Sequence, residues 1–218
     1  MKRWLLSLLA RPEAPEEVGE LQERFLVAGL GNPGPRYALT RHNVGFLVVD
    51  RLAEAAGLSW RQKGRAFVAS WRGGWLMKPA TYMNDSGEAV APFVRYYKIP
   101  LERLLVVHDD MDLPLGRMRL RRGGGSGGQK GVQSIINSLG GADFDRLRVG
   151  VGRPPQGWSA VDWVLSRFDE SERPLLEKVL EEAAAAVALW QSQGLLRAQQ
   201  KYNGLDLGEA AKGEDQGG

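Results

Sequence analysis

The sequence predicts an α/β fold, a single-domain sandwich in which helices flank a mixed, twisted β-sheet. Three observations carry this. Short apolar runs at Phe25–Gly29, Leu104–His108 and Leu147–Val151 have the length and content of buried strands. Between them lie longer stretches with apolar residues at helical spacing. No internal repeat breaks the alternation, so strands and helices interleave along the whole chain. With 218 residues, 43% of them hydrophobic, the chain can bury a core without disulfide or metal staples.

Taken in order, Phe25–Gly29 is a buried strand closed by Gly and Pro. The Asn32-Pro33-Gly34-Pro35 segment after it is non-helical, because proline lacks a donor and restricts the residue before it. Asn43–Gly57 carries Phe46, Val49, Leu52 and Ala53 on one face and reads as an amphipathic helix stopped by Gly57. Ala66–Ser70 and Trp75–Lys78 bracket Arg72-Gly73-Gly74, a hairpin signal. Asp85 or Ser86 suits the cap of a helix that presents Val90, Phe93, Val94 and Tyr97. Leu104–His108 is continuously apolar, as a central strand would be. In Gly116–Arg122 the alternation puts Arg117, Arg119 and Arg121 on one face, Met118 and Leu120 on the other. The GGGSGG run Gly123–Gly128 reads as a flexible loop before a helix over Val132–Leu139. Leu147–Val151 and Val161–Leu165 read as strands. Ser171 suits the cap of a long helix striped by Leu176, Val179, Leu180, Ala183, Val187 and Trp190 and stopped at Gly194.

The ends differ from the middle. Residues 1–24 open with two basic residues and a short apolar run, then turn Pro- and Glu-rich; an amphipathic or loosely ordered extension fits better than an export signal. Residues 25–205 form the expected domain, and the polar residues 206–218 read as a disordered tail. No segment is long and apolar enough to span a membrane.

The stretch Gly29–Gly45, GLGNPGPRYALTRHNVG, matches Gly-x-Gly-x-x-Gly literally. A dinucleotide fold needs a helix to open inside that motif, and Pro33 and Pro35 stand where it would begin. Asp50 is spaced like a ribose-binding acid but lies within a helix. There is no Walker loop, and Gly131 follows Lys130 where Ser or Thr would hold magnesium. Without cysteine the chain has no thiol nucleophile and no thiolate metal site. Asp109, Asp110 and Asp112 are explained as well by a polar turn as by a magnesium site. Neither cofactor nor metal is expected.

Chemistry is expected where strands end. Asn32 and His42 flank the first loop, Asn84 lies in Thr81–Asp85, and Asp109 follows the Leu104–His108 run. A neutral imidazole suits general-base work near neutral pH. A carboxylate on its far nitrogen fixes the tautomer, and amides can hold water or an oxyanion. By residue type alone, His42 also suits a helix cap and Asn32 a turn. With no Gly-x-Ser-x-Gly elbow, a histidine-activated water fits better than a covalent route. From Leu115 to Arg153, eight basic residues (Arg117, Arg119, Arg121, Arg122, Lys130, Arg146, Arg148, Arg153) face two acidic ones, a net of +6. That run is either a solvated face or, if it converges on one surface, the footprint of a polyanion.

The blocks GLGNPGPRY, TRHNVG, KPATYMNDSG, VVHDDMDLPLG, GGGSGG and RLRVGVGRP, in this order between Phe25 and Asn203, resemble the bacterial peptidyl-tRNA hydrolase family. The resemblance implies cleavage of the ester between peptide and tRNA, with peptidyl-tRNA as partner, by a cytoplasmic monomer. It assigns His42 as the base, taking a proton from water or orienting it, Asp109 as its supporting acid, and Asn32 as a selector of N-blocked substrates. Tyr37, Tyr82 and Asn84 fall at substrate-binding positions, and Arg121 and Arg148 at positions that clamp the tRNA 5′ phosphate. Many members carry His-Asn-Gly after the glycine loop; here Gln129-Lys130-Gly131 stands instead. Lys130 then places an ammonium near the ester or a phosphate, or points to solvent. A non-catalytic RNA-binding relative is the alternative, and a nicotinamide enzyme a distant third.

Overall fold

The computed structural model describes residues 24–209, and the expected extension at residues 1–23 lies outside them. Seven strands form one sheet: β1 (Leu26–Gly29), β2 (Arg61–Lys63), β3 (Ala66–Trp71), β4 (Gly74–Pro79), β5 (Leu104–Asp110), β6 (Met118–Arg122) and β7 (Asp145–Gly150), in the order β2-β3-β4-β1-β5-β7-β6. The inner strands β4, β1, β5 and β7 are parallel. The hairpin β3–β4 and the strands β2 and β6 add antiparallel edges.

β1 and the first four residues of β5 are continuously apolar because both faces of the sheet are covered there. Val27, Leu105, Val107, Leu147 and Val149 point to the core shared with helices α1 (Val44–Ala55) and α5 (Arg173–Tyr202). The alternating residues Leu26, Ala28, Leu104 and Val106 pack on the other side against α2 (Ser86–Tyr96) and α3 (Lys130–Leu139). The hairpin turns through Arg72 and Gly73 with φ of 48° and 82°, the double positive φ that a two-residue turn requires.

Several local expectations give way. Val161–Leu165 belongs to a helix, α4 (Ala160–Leu165), capped by Ser159, which accepts from the Asp162 amide at 3.0 Å. Periodicity over so short an apolar run does not separate strand from helix; the Ser-x-x-Asp spacing was the better guide. Neither Asp85 nor Ser86 caps α2 with its side chain: Asp85 occupies the cap position without such a bond, and the Ser86 hydroxyl donates to the Met83 carbonyl at 2.8 Å. Ser171 sits inside a 3-10 turn, and the capping box is made by Asp169 and Glu172. Gly194 kinks α5, with φ of 80° and ψ of 175°, and the helix resumes beyond it. The loop at Gly123–Gly125 is tied down, because its three carbonyls accept from the Arg146 guanidinium.

The ordered chain also runs past residue 205. Asn203 presents its side-chain oxygen to the Leu120 amide at 2.7 Å and its NH2 to the Leu120 carbonyl at 3.0 Å, covering the open edge of β6. Asp206 pairs with Arg117 at 2.7 Å, and the Leu207 amide donates to Gly116. Residues 206–209 therefore belong to the described fold, and the rest of the expected tail lies outside the described residues.

Two features aim the chain at the carboxyl end of the central strands. First, β1 and α1 meet backbone to backbone. A Cβ on Gly29 would lie 2.2 Å from the Gly45 carbonyl oxygen, and one on Gly45 would lie 2.4 Å from both Leu30 N and Val107 O. Second, Arg41 is buried over the Trp163 ring, 3.7 Å from its centroid, and bonds both Glu172 oxygens at 2.9 and 2.6 Å. This ties the 3-10 turn Arg41–Asn43 to the start of α5.

Gly45→Ala drives a methyl into the backbone of Leu30, just past β1, and of Val107 in β5. Such overpacking costs about 1–3 kcal/mol or more, and the melting temperature should fall by several degrees; an unchanged melting curve would contradict the close approach. Burial pushes the Glu172 carboxyl up, but Arg41 and the Asp169 amide outweigh it and hold the group below its usual value. A depressed folded value adds stability above the unfolded value and loses it as pH falls through the folded one. Glu172→Gln should therefore melt lower at pH ~7 and show a shallower loss of melting temperature below pH ~4.5 than the wild type; parallel acid limbs would refute the assignment.

Candidate active site

A cleft of about 340 Å³ opens where β1, β4 and β5 end, the usual place for a site in a parallel sheet. Three chain segments bring their polar groups there. The first is the loop from β1 into α1. The Asn43 carboxamide closes it, its oxygen accepting from the Asn32 amide and its NH2 donating to the Asn32 carbonyl, both at 2.9 Å. This fixes Asn32 and, one residue before Asn43, delivers His42. The second follows β4 and carries Tyr82, Met83 and Asn84. The third is β5 itself, whose Asp109 lies within the strand rather than after it.

His42 and Asp109 meet with Nδ1 and Oδ2 2.9 Å apart. The carboxylate is an acceptor, so Nδ1 carries the proton and Nε2 is left as a lone-pair base for the cleft. Asp109 is 4% exposed, and its second oxygen accepts from Gln129 Nε2 at 3.0 Å. Gln129 caps α3, its oxygen accepting from the Val132 amide at 2.8 Å. Gly131 makes room for this, since a Cβ there would lie 2.5 Å from Met83 Sδ.

The second histidine has a different task. His108 is buried, and its Nδ1 donates to the Asp109 carbonyl at 2.8 Å. Burial lowers its pKa against the opposing pull of Asp109 and Asp110, which keeps the ring neutral.

Asn32 accepts from the Met83 amide at 2.8 Å through its side-chain oxygen, leaving its NH2 as the group turned to the cleft. Asn84 donates to Asp85 at 2.9 Å and is exposed at the rim. Tyr37 and Tyr82 meet edge to face, with centroids 6.5 Å apart. Exposed Lys130 lines the same opening at the first turn of α3. Among the described residues, no group of three or more His, Cys, Asp or Glu side chains is gathered as for a metal ion. The apolar side is made by Met111, Val161, Val164 and Leu165.

Of the expected residues, Asn32, Tyr37, His42, Tyr82, Asn84, Asp109 and Lys130 share the cleft. Arg121 and Arg148 do not line it. They sit beside it on β6 and β7, where Arg119 pairs across from Arg148 and Arg121 from Arg146. Like charges directly opposite repel, and the eight basic residues handle this unequally. Arg148 binds Asp110, Arg117 binds Asp206, Arg122 binds Asp145 and Arg153 binds Asp112. Burial, with Arg121 and Arg148 adjoining, pulls Arg146 down to about 10, and its guanidinium holds loop carbonyls. The net of +6 thus overstates the exposed charge. Among the described residues, Arg119, Arg121 and Lys130 carry the charge of this run without an ion pair. Sequence reasoning missed Gln129, Asn43 and Met83. Gln129 had one signal, its place immediately before an apolar-periodic helix.

The family model for peptidyl-tRNA hydrolase matches residues 26–211. A protein from Thermus thermophilus described as a peptidyl-tRNA hydrolase is 55% identical over 183 residues, 84% of this chain and 98% of its own length. One from Desulfitobacterium hafniense is 48% identical over 182 residues, 82% of this chain and 98% of its own. The crystal structure of the peptidyl-tRNA hydrolase from Acinetobacter baumannii superposes with a TM-score of 0.80 at 33% identity, covering 87% of this chain and all of that one.

Proposed function

Because this chain belongs to the peptidyl-tRNA hydrolase family, we propose that it hydrolyses the ester between peptide and tRNA with His42 as the base, releasing tRNA for translation. The observation that carries the mechanism is the 2.9 Å bond from His42 to the buried Asp109. Asp109 keeps the proton on Nδ1, so Nε2 takes one from water as the water oxygen bonds the ester carbon. The tetrahedral intermediate collapses by breaking the bond to the ribose 3′ oxygen, which leaves with the proton that His42 returns. No covalent enzyme intermediate is needed.

Asn32 supports a preference for N-blocked substrates. Its oxygen is committed to the Met83 amide, so it offers NH2 donors. These pair with a peptide carbonyl and have nothing to offer the ammonium of a free aminoacyl ester. Asn84 and Lys130 flank the place where negative charge develops. Tyr37 and Tyr82 offer ring faces to the terminal base. Arg121 and Arg148 would take the tRNA end phosphate, and a phosphate on Arg148 would share it with Asp110. A non-catalytic RNA-binding role gains no support from a site that retains its base, acid and amides. No helix among the described residues is long and apolar enough to cross a membrane. A substrate made in translation supports action in the cytoplasm.

Release of an N-acetyl-aminoacyl ester from tRNA tests the mechanism. His42→Ala should lower it by at least ~10²-fold with the fold intact; undiminished release would sink the proposed base. Arg121→Ala should weaken tRNA binding and reduce the slope of log affinity against log salt by about 0.7–0.9. Identical slopes would remove Arg121 from the clamp.

A further inference from the structure

We infer that Gln129 is a positioning residue of the hydrolytic centre, acting through Asp109 to hold His42, and doing so with a donor that has no proton to lose near neutral pH. This rests on the reading of His42 and Asp109 given above. Three observations support it. The two ends of the Gln129 carboxamide are assigned by their partners. Its oxygen faces the Val132 amide at 2.8 Å and its nitrogen faces Asp109 Oδ1 at 3.0 Å. Reversed, it would set donor against donor and oxygen against carboxylate, so the helix cap dictates which end meets Asp109. The side chain is 8% exposed, with Met83 Sδ 3.1 Å from the same nitrogen, so no water competes easily for the bond.

The third observation is the division of labour on Asp109. One oxygen takes His42 and the other takes Gln129, so the carboxylate is gripped from both sides and cannot turn about its own axis. The other titratable groups nearby are engaged elsewhere or outside: Asp110 holds Arg148, neutral His108 donates to the Asp109 backbone, and Lys130 is exposed at the rim. Gln129 is thus the side chain that anchors the acid to a helix terminus. A hydrogen bond to a charged group is worth about 1.5–3 kcal/mol, or roughly 10- to 150-fold in rate if the whole of it is used to orient the base.

Gln129→Glu isolates the donor, because an oxygen can still cap Val132 while the other now meets Asp109. The introduced carboxyl and Asp109 can coexist only by sharing a proton. Release of the N-acetyl-aminoacyl ester should fall about 10- to 100-fold in kcat at pH ~8 with KM changed less than ~3-fold. The pH profile should change shape as well, losing activity toward alkaline pH where the wild type holds its plateau. Gln129→His, which keeps an N–H donor, should restore kcat to within ~5-fold and return the plateau, with both variants checked by circular dichroism. Wild-type kcat and pH profile in Gln129→Glu would overturn the inference. So would equal losses in Gln129→Glu and Gln129→His with the profile shape unchanged, which would mark a cap alone. Failure of the wild type to release ester, or full activity in His42→Ala, would instead overturn the reading on which this rests.

Discussion

The close approach of β1 and α1 at Gly29 and Gly45 is the constraint on which the site depends. The Gly45 Cα faces Leu30 and Val107 with no space for a Cβ, so the helix can start directly above the junction of β1 and β5. Leu30 then bonds Val107 through its amide and Phe46 through its carbonyl, sewing loop, helix and central strand together. That places the turn carrying His42 above Asp109 on β5. A side chain at either glycine would lift the turn and lengthen the one bond that gives the imidazole its tautomer.

Around that bond the protein uses neutral amides rather than charges. Asn43 ties Asn32, Asn32 holds the Met83 amide, and Gln129 joins Asp109 to α3. Each amide has one end committed to backbone or carboxylate, which leaves the other end with a defined identity. A buried network of this kind is rigid only when its members are satisfied; both ends of the Asn43 and Gln129 carboxamides are bonded, and the Asn32 NH2 alone is left for the cleft. The site is therefore organised before substrate arrives, the condition under which fixed dipoles are most effective.

The guanidinium groups show a parallel economy. Arg41 is buried between an aromatic ring and Glu172, and Arg146 supports the glycine loop that borders the cleft. These two are structural supports of catalytic geometry. Arg119 and Arg121, facing the paired Arg148 and the buried Arg146 across the β6–β7 ladder, keep a charge, unpaired among the described residues, that a phosphate backbone can use.

The sequence by itself determined the α/β class, the mixed sheet and the loop that holds Asn32 and His42, because these follow from local periodicity and from prolines that exclude a cofactor helix. It also pointed to Asp109 through the end of an apolar run. It misread Val161–Leu165 as a strand, since five residues are too few for a period to declare itself, and treated Gly123–Gly128 as flexible, since nothing local reveals that Arg146 reaches back to it. Only the tertiary structure decided which arginines are spent within the fold and that Gln129, beside the more conspicuous Lys130, is the residue that grips the acid. Both depend on contacts between residues about twenty or more positions apart in the chain. Hydrogen-bond partners at that separation are chosen by packing, and no window of sequence contains them.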